Sequence, residues 1–250
     1  MTVLKYLFYL AFLYLVIHIF CSGYFHNIFR DLIAVLKNNY KLIVAVLLID
    51  LGLILFLDRR LSLFFKNYSL DFLDELAAFG NSLGGFYTLF PVLILIILLA
   101  RLLNFNKLKN LVMTAVSAII YARIVVFILK IIISRARPFY NYNPFEFFKY
   151  PQAINQLTDI LRNLDFGQIA EFTYASMPSG HTVTAFALVG TFYLYFQNKF
   201  IQGFLILLGV TTAFARVYTN VHWPSDVFIA AVIGSLIAAV IYQNNKSRIQ

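Results

Sequence analysis

The sequence predicts an all-α protein, a polytopic bundle of helices that cross a membrane. Hydrophobic residues make up 61% of the 250 residues and charged residues only 12%, which is more apolar surface than a soluble domain of this length needs. The apolar residues are gathered into runs that approach the ~20 residues with which a helix crosses a bilayer. No polar linker rich in Gly, Pro or Ser divides the chain, so we expect one domain.

Six apolar runs form the predicted core of transmembrane helices. They cover residues 42–57, 85–103, 111–133, 182–197, 200–218 and 225–242. A seventh run, Val3–Cys21, precedes them, and we expect an extra N-terminal membrane helix there, with an interfacial or a cleaved segment as the alternatives. The predicted organisation is an N-terminal hydrophobic or interfacial segment at 1–40, a core at 41–243 and a short tail at 244–250.

The positive charge of the chain does not indicate nucleic-acid binding. There are 20 Lys and Arg against 11 Asp and Glu, a formal net charge of +9. The basic residues lie scattered along the edges of the apolar runs, which is typical of charges that set membrane topology. We therefore expect the bilayer, and no nucleic acid, as a partner. The single cysteine, Cys21, excludes an intramolecular disulfide.

The charges between the runs also predict the orientation. One side of the membrane, face B, receives nine basic residues and the single acid Asp31. The basic residues of face B are Arg30, Lys37, Lys41, Arg101, Lys107, Lys109, Lys199, Lys246 and Arg248. The other side, face A, receives nine basic and nine acidic residues, and several of these cations belong to motifs or to the long loop 139–177. Because cytoplasmic loops carry an excess of Lys and Arg, we expect face B in the cytoplasm and face A outside a bacterial inner membrane, in the periplasm.

Three polar motifs lie at the face A ends of the runs, and the first is Lys130-x6-Arg137-Pro138. Seven residues are about two helical turns, so we expect Lys130 and Arg137 on one face of a helix that Pro138 ends. Two cations there suit a phosphate, which arginine binds bidentately and lysine binds as a point charge. The alternative is that both are snorkelling or topology-setting charges.

The second motif, Pro178-Ser179-Gly180-His181, leads into the fourth run. A helix N-terminus offers free N–H groups to an anion, and glycine lets the backbone approach a ligand. We therefore expect Ser179 and Gly180 to line a phosphate site beside His181. An ordinary helix cap with a passive histidine is the alternative.

The third motif is Arg216-x5-His222-x3-Asp226, with Pro224 at a predicted first helical turn. Four residues are about one turn, so the carboxylate of Asp226 is close enough to hold one imidazole nitrogen of His222 as N–H. The other nitrogen keeps a lone pair that can attack an electrophile. A zinc site built from two histidines and an aspartate is the competing interpretation. The three motif cations argue against it because they repel a divalent ion, so we expect no metal and no other cofactor.

These three motifs, in this order and at these spacings, resemble the signature of the type-2 phosphatidic acid phosphatase superfamily of membrane lipid phosphatases. The resemblance covers about residues 42–242 and departs from the family pattern at Ala215, where a serine usually precedes the arginine. It implies that His222 attacks phosphorus and forms a phosphohistidine while Asp226 orients it. It also implies that His181 protonates the leaving oxygen and later activates water. The residues that would neutralise the equatorial oxygens are Lys130, Arg137 and Arg216.

The implied function is metal-independent hydrolysis of a phosphomonoester or diphosphate on a lipid. The motifs recognise the phosphate rather than the lipid, so phosphatidylglycerol phosphate, phosphatidic acid, undecaprenyl diphosphate and a phosphate of lipid A are all candidates. Specificity is expected in segments 58–84 and 139–177. A lipid-to-lipid phosphotransferase and a non-catalytic transporter are the alternatives, and the sequence leaves the oligomeric state open.

Several residues outside the motifs remain. Asp50 and Arg123 lie inside predicted spans, where a charge is costly, and we expect a structural role, for which pairing with each other is one option. The aromatic run Phe139–Pro151 predicts an anchoring belt at the bilayer interface, with a lid over a lipid tail as the alternative. We expect no catalytic role for His18 or His26.

Overall fold

A computed structural model describes residues 23–24, 27–140, 143–163 and 173–249, together with Ile17. The regular structure of these residues is helical throughout, which confirms the predicted all-α class. The predicted N-terminal helix Val3–Cys21 lies outside the described residues except for Ile17, and His18 and His26 also lie outside them.

Ten α-helices follow one another through the described residues. They are α1 (Ile28–Asn38), α2 (Tyr40–Phe56), α3 (Asp58–Asn67), α4 (Asp71–Gly84), α5 (Phe86–Leu102), α6 (Asn106–Ile133), α7 (Tyr150–Asn163), α8 (Gly180–Tyr195), α9 (Lys199–Tyr218) and α10 (Pro224–Ile249). A short 3-10 helix, Pro138–Tyr140, lies between α6 and α7.

Three of these helices, α6, α9 and α10, are long and apolar enough to cross a membrane alone. Two bent pairs, α1 with α2 at 80° and α4 with α5 at 52°, raise the number of candidate spans to five. Helix α8, with 16 residues, is only about 24 Å long, less than the ~30 Å of a hydrocarbon core. The protein is thus an integral membrane bundle with three to five candidate spans, and the count of six core helices plus one stays a prediction.

Helices α6, α8 and α10 pack against one another and form the centre of the bundle. Helix α9 covers α8 and α4, while α5 lies on α6 and α2 lies on α10. The buried side chains at the centre include Val116, Ile119, Val183, Ala187, Ile237 and Ile241. Gly234 allows α10 to approach α8 closely, since a Cβ atom there would lie 2.7 Å from the carbonyl oxygen of Val183. These three helices are the scaffold on which the motifs are held.

The first motif is not carried by one helical face. Helix α6 ends at Ile133, the last residue of the apolar run 111–133, and Ser134 follows with φ 41° and ψ 52° in the left-handed region. Arg137 therefore lies four residues beyond the helix, and the prediction that it shares a helical face with Lys130 is wrong. Pro138 does not end the helix either, because the chain has already turned at Ser134.

Beyond α6 the backbone of 135–137 runs between two other segments. The hydrogen bonds that hold it are Ala136 N to Glu146 O, Arg137 N to Thr173 O and Ser176 N to Arg135 O, each at 3.0 Å. The first motif is thereby tied to the segment that leads into the second motif. Backbone pairing, and not helical periodicity, places Arg137 at the site.

Candidate active site

The second motif forms the start of α8 and is joined to the third motif. Ser179 caps the helix, since its Oγ accepts hydrogen bonds from Thr182 N at 3.4 Å and Thr182 Oγ1 at 3.0 Å. The backbone N–H of Ser179 donates to the carbonyl oxygen of Asp226 at 3.0 Å. A Cβ atom added at Gly180 would meet nothing within 4 Å. The side chain of Ser179 thus caps α8, and the open space at the N-terminus of α8 is beside Gly180.

The third motif spans the connection between α9 and α10. Arg216 lies in the last turn of α9, and its carbonyl oxygen accepts hydrogen bonds from Val221 N at 3.2 Å and His222 N at 3.1 Å. Asn220, with φ 55°, exchanges two hydrogen bonds of 2.6 and 3.0 Å with Ser62 of α3. The loop that carries His222 is therefore fixed to α3 as well as to the end of α9.

His222 and Asp226 face each other across one turn. The distance from Nδ1 of His222 to Oδ2 of Asp226 is 3.6 Å, which is within ion-pair reach but longer than a hydrogen bond. Such contacts commonly tighten only when substrate is bound. His222 is 3% exposed, and this burial is the main cause that lowers its pKa well below the usual value, against the opposing effect of Asp226. The imidazole is therefore neutral, with Nε2 on the side away from the carboxylate.

Arg135, one of the nine basic residues that the sequence assigns to face A, holds Asp226 in place. Its Nη1 lies 2.6 Å from Oδ1 of Asp226 and its Nη2 lies 2.6 Å from Oδ2 of Asp58, and all three side chains are 0% exposed. We call Asp58, Arg135 and Asp226 the arginine clamp. It connects the start of α3, the segment after α6 and the first turn of α10.

The remaining donors of the guanidinium of Arg135 are also used. Ser225 Oγ accepts from Nη1 at 2.6 Å and donates to Oδ2 of Asp58 at 2.6 Å. The carbonyl oxygen of Pro144 accepts from Nε at 3.0 Å and from Nη2 at 2.8 Å. All five N–H groups of a guanidinium thus have acceptors, so Arg135 has a structural role in positioning the carboxylate.

The aromatic rings of Phe147 and Trp223 lie against the clamp. The guanidinium carbon of Arg135 is 4.7 Å from the ring centre of Phe147 and 5.4 Å from that of Trp223. The indole N–H of Trp223 donates to the carbonyl oxygen of Ala136 at 2.8 Å. Phe147 therefore contributes to the clamp, which the expectation of an anchoring belt along Phe139–Pro151 did not foresee.

Asp226 has further partners besides Arg135 and His222. Its Oδ2 accepts from the backbone N–H of Trp223 at 2.9 Å and from the hydroxyl of Ser176. These contacts hold the carboxylate in one orientation toward His222. They also occupy the oxygen atoms that a metal ion would need.

Lys130, Arg137 and Arg216 form the second group of charges, which we call the cationic cluster. Lys130 Nζ donates to the carbonyl oxygens of Ala175 and, at 3.4 Å, of Ser176. The charges of all three cations act on His222, and those of Arg137 and Arg216 act on Lys130. The structure thus brings the three cations together around one histidine.

Arg216 and His181 are positioned by the neighbouring helix α4. Nη1 of Arg216 donates to Oδ1 of Asn81 at 2.7 Å. A Cβ atom at Gly84 would lie 2.7 Å from the carbonyl oxygen of His181, so α4 lies directly against the start of α8. The charges of Arg216, Arg137 and Lys130 also act on His181. Both histidines therefore border the cationic cluster.

Ala215, the departure from the family pattern, packs against α4. It is fully buried in a small cluster with Ala77 and Tyr218, and its Cβ is 2.9 Å from a Cβ atom built on Gly80. A serine hydroxyl at this position would therefore lie against α4. Alanine in place of serine therefore changes the contact with α4 and leaves the arrangement of Arg216 intact.

Four residues that support the site were not predicted from the sequence, namely Asp58, Asn81, Arg135 and Ser176. Two of these four residues have a sequence feature that could have indicated their role. Asp58 directly follows the apolar run 42–57, and Arg135 precedes Arg137 by two residues, so both charges lie at face A ends of spans. The amide of Asn81 and the hydroxyl of Ser176 have no such signal.

The intramembrane charges Asp50 and Arg123 do not pair with each other. Arg123 donates from Nη1 to Thr184 Oγ1 at 3.2 Å, between α6 and α8. Asp50 of α2 is 5% exposed and is influenced by the charges of the arginine clamp. Within the described residues there is also no group of three His, Cys, Asp or Glu residues placed to hold a metal ion.

This chain is an apolar helical bundle with two histidines, a clamped carboxylate and three cations gathered at one end, and these groups could bind an anion and attack it. A model of the PAP2 superfamily matches residues 111–250, more than half of the chain, and the chain belongs to this superfamily. The match includes all three motifs.

Three curated relatives are similar to parts of the chain. It is 37% identical over 71 residues to the lipid A 1-phosphatase of Porphyromonas gingivalis, covering 27% of this chain and 16% of that protein. It is 37% identical over 67 residues to the undecaprenyl-diphosphatase BcrC of Bacillus subtilis, covering 27% and 31%. The putative undecaprenyl-diphosphatase YbjG of Escherichia coli is 31% identical over 86 residues, covering 33% and 43%. The chain thus spans less than half of the length of each relative.

Two solved structures are similar along most of the chain. Aquifex aeolicus LpxE is 24% identical, with a TM-score of 0.53, and the match covers 75% of this chain and 95% of that one. The PAP2 type phosphatidylglycerolphosphate phosphatase of Bacillus subtilis is 18% identical, with a TM-score of 0.58, and the match covers 82% and 96%. These similarities establish the fold.

Proposed function

We propose that the protein is an integral membrane lipid phosphatase that hydrolyses a lipid phosphomonoester or diphosphate through a phosphohistidine on His222. The observation that carries this proposal is that the cationic cluster lies beside His222, whose partner Asp226 is held by the arginine clamp. Phosphoryl transfer needs cations around the equatorial oxygens and a nucleophile in line with the leaving oxygen. The names of the similar proteins, lipid A 1-phosphatase and undecaprenyl-diphosphatase, support the same class.

The proposed reaction has two steps. In the first, Nε2 of His222 attacks phosphorus, the N–P bond forms, and the bond to the leaving oxygen breaks while His181 gives that oxygen a proton. In the second, His181 takes a proton from water, which attacks phosphorus and releases orthophosphate. Asp226 keeps the proton on Nδ1 and stabilises the charge that His222 acquires.

The cations have a defined task in both steps. Lys130, Arg137 and Arg216 neutralise the equatorial oxygens of the transferred group in a site with little water, where such charge pairs are strong. The N–H groups at the start of α8, beside the open space at Gly180, supply additional donors. No metal ion is required in this scheme.

The test is a phosphate-release assay of the full-length protein in detergent with four lipids. These are phosphatidic acid, phosphatidylglycerol phosphate, undecaprenyl diphosphate and lipid A. Release from at least one of them, together with an acid-labile, base-stable phosphoenzyme that His222→Ala lacks, is the expected result. A protein that turns over none of them, or a His222→Ala variant that keeps a substantial part of the activity, contradicts the proposal. Phosphate that appears on a second lipid in place of free phosphate indicates the phosphotransferase.

We also propose that residues 41–243 form the core of the enzyme. The site and the loop 139–177 then face the periplasm. Asn155 and Asn106, both exposed, lie at the face A and face B ends of the bundle. In a Cys21→Ser background, a cysteine replacing Asn155 should react with an impermeant maleimide in intact cells. A cysteine replacing Asn106 should react only after permeabilisation. The reverse pattern would place the site in the cytoplasm.

A further inference from the structure

Arg123 is a membrane-embedded cation that the proposed mechanism does not use. It lies on α6 seven residues before Lys130, which places it two helical turns, about 10 Å, toward face B. Its Nη1 donates to the hydroxyl of Thr184 on α8 at 3.2 Å. A guanidinium inside a span is costly, and functional requirements commonly explain its presence there.

The guanidinium of Arg123 is connected to the part of α8 that carries His181. The hydroxyl of Thr184, which accepts from Arg123, donates to the carbonyl oxygen of Gly180 at 2.9 Å. Thr184 lies three residues after His181 on α8, so the two side chains are neighbours on one side of this helix. Arg123 therefore lies beside His181, on the membrane side of the cationic cluster.

The bend between α4 and α5 borders the same region. Gly84 at the end of α4 lies against the backbone of His181. Tyr87, in the first turn of α5, is close enough to interact electrostatically with Arg123. The side chain of Tyr87 is 57% exposed, and exposure on the outer surface of a membrane bundle means contact with lipid. Arg123 is therefore close to an exposed residue of α5.

We infer that Arg123 binds the second phosphate of a lipid diphosphate, the phosphate that stays on the lipid when the terminal one is transferred. This inference rests on the proposed phosphatase function and narrows its substrate class. In-line attack places the leaving group opposite His222, and His181, which acts on that group, has Arg123 beside it. A lipid monophosphate has no charge at this position. A diphosphate has one, and in a site with little water that charge needs a cation.

The chemistry of the bridging oxygen supports the assignment. Nε2 of His222 attacks the terminal phosphorus, and the N–P bond forms as the bond to the bridging oxygen breaks. The bridging oxygen keeps the electron pair and becomes an oxygen of the departing lipid monophosphate, and water then releases orthophosphate from His222. The leaving group is a phosphate anion instead of an alkoxide, so Arg123 can neutralise its charge while His181 gives the bridging oxygen a proton.

The experiment compares an isoprenoid monophosphate with the diphosphate of the same isoprenoid chain. Both are assayed with the full-length protein in detergent as wild type, Arg123→Gln and Arg101→Gln. Arg101 is an exposed cation at the far end of α5 and serves as the matched control. We expect Arg123→Gln to lower kcat/KM for the diphosphate about 10- to 100-fold. The monophosphate should change less than about threefold, because it places no charge beside Arg123. Arg101→Gln should change neither.

Two further variants keep the inference testable if Arg123→Gln is not recovered from membranes. Arg123→Lys keeps a cation but loses the bidentate fork, so it should show a smaller loss that is again selective for the diphosphate. Thr184→Val removes the hydroxyl that positions Arg123 and should act in the same direction. Equal losses for both substrates, or no loss for the diphosphate, overturn the inference and leave the phosphatase function standing. A wild-type protein that releases phosphate from neither substrate contradicts the function itself.

Discussion

The arginine clamp and the cationic cluster both border His222, and their buried charges have different partners. In the clamp each carboxylate has a guanidinium nitrogen at 2.6 Å, and all three side chains are fully buried. In the cationic cluster the partners of Lys130 are backbone carbonyl oxygens and the partner of Arg216 is an amide oxygen. Charges of one sign held by neutral partners repel one another until an anion arrives. We therefore expect the clamp to stabilise the fold and the cationic cluster to bind the substrate.

The largest effect on activity is expected at Asp226, the residue of the clamp that lies against His222. Asp226→Asn should lower kcat about 10³- to 10⁴-fold, because an amide neither fixes the tautomer of His222 nor stabilises its positive charge. Asp58→Asn is the matched control, since Asp58 accepts from the same Arg135 but has Ser225 as its other partner, whereas Asp226 lies against His222. Its effect on kcat should stay within about tenfold, a small fraction of the loss that an orienting carboxylate causes. Phosphate release at saturating lipid measures both, and equal losses would show that Asp226 acts only through the fold.

A change at the centre of the clamp should act mainly on stability. Arg135→Gln leaves two buried carboxylates without their cation, which typically costs about 3–5 kcal/mol. Denaturant unfolding in detergent, followed by near-UV circular dichroism, measures the free energy of unfolding. If the variant is as stable as the wild type, the clamp is not part of the fold in the way described above.

A change in the cationic cluster should act mainly on activity and not on stability. Arg216→Gln should lower kcat/KM about 100-fold, as the loss of one transition-state charge contact does. The free energy of unfolding should be unchanged or slightly higher, because one of several repelling charges is removed. The same unfolding assay applies, and a loss of stability as large as that of Arg135→Gln would remove the distinction between the two groups.

The smallest effect is expected from chelators. Because the cationic cluster supplies the positive charge around the phosphate, activity should be the same before and after dialysis against excess EDTA. Orthovanadate should inhibit, since it mimics pentacoordinate phosphorus. If EDTA abolishes phosphate release and added zinc or magnesium restores it, metal dependence replaces the mechanism proposed here.

The residues that can carry the chemistry were predictable from the sequence because their types and spacings are local. His222 lies two residues before the helix that begins at Pro224 and Asp226 lies in its first turn, so their side chains are near each other, with Nδ1 and Oδ2 3.6 Å apart. The all-helical class followed from composition in the same way. The roles of these residues in catalysis stay predictions until they are assayed.

The support of the site was not predictable because it depends on contacts between distant parts of the chain. Asp58 and Arg135 are 77 residues apart, and each alone reads as a charge at a span end. The end of α6 at Ile133 depends on a left-handed serine, for which glycine or asparagine would be the usual signal. Periodicity therefore placed Arg137 on a helix that had already ended.

The arginine clamp also provides a built-in optical reporter. Trp223 is the only tryptophan among the 250 residues, it is 2% exposed, and it directly follows His222. Emission excited beyond the absorption of tyrosine therefore comes from one ring that touches the guanidinium of Arg135. The fluorescence of the unlabelled protein consequently reports on the immediate surroundings of His222, the proposed nucleophile.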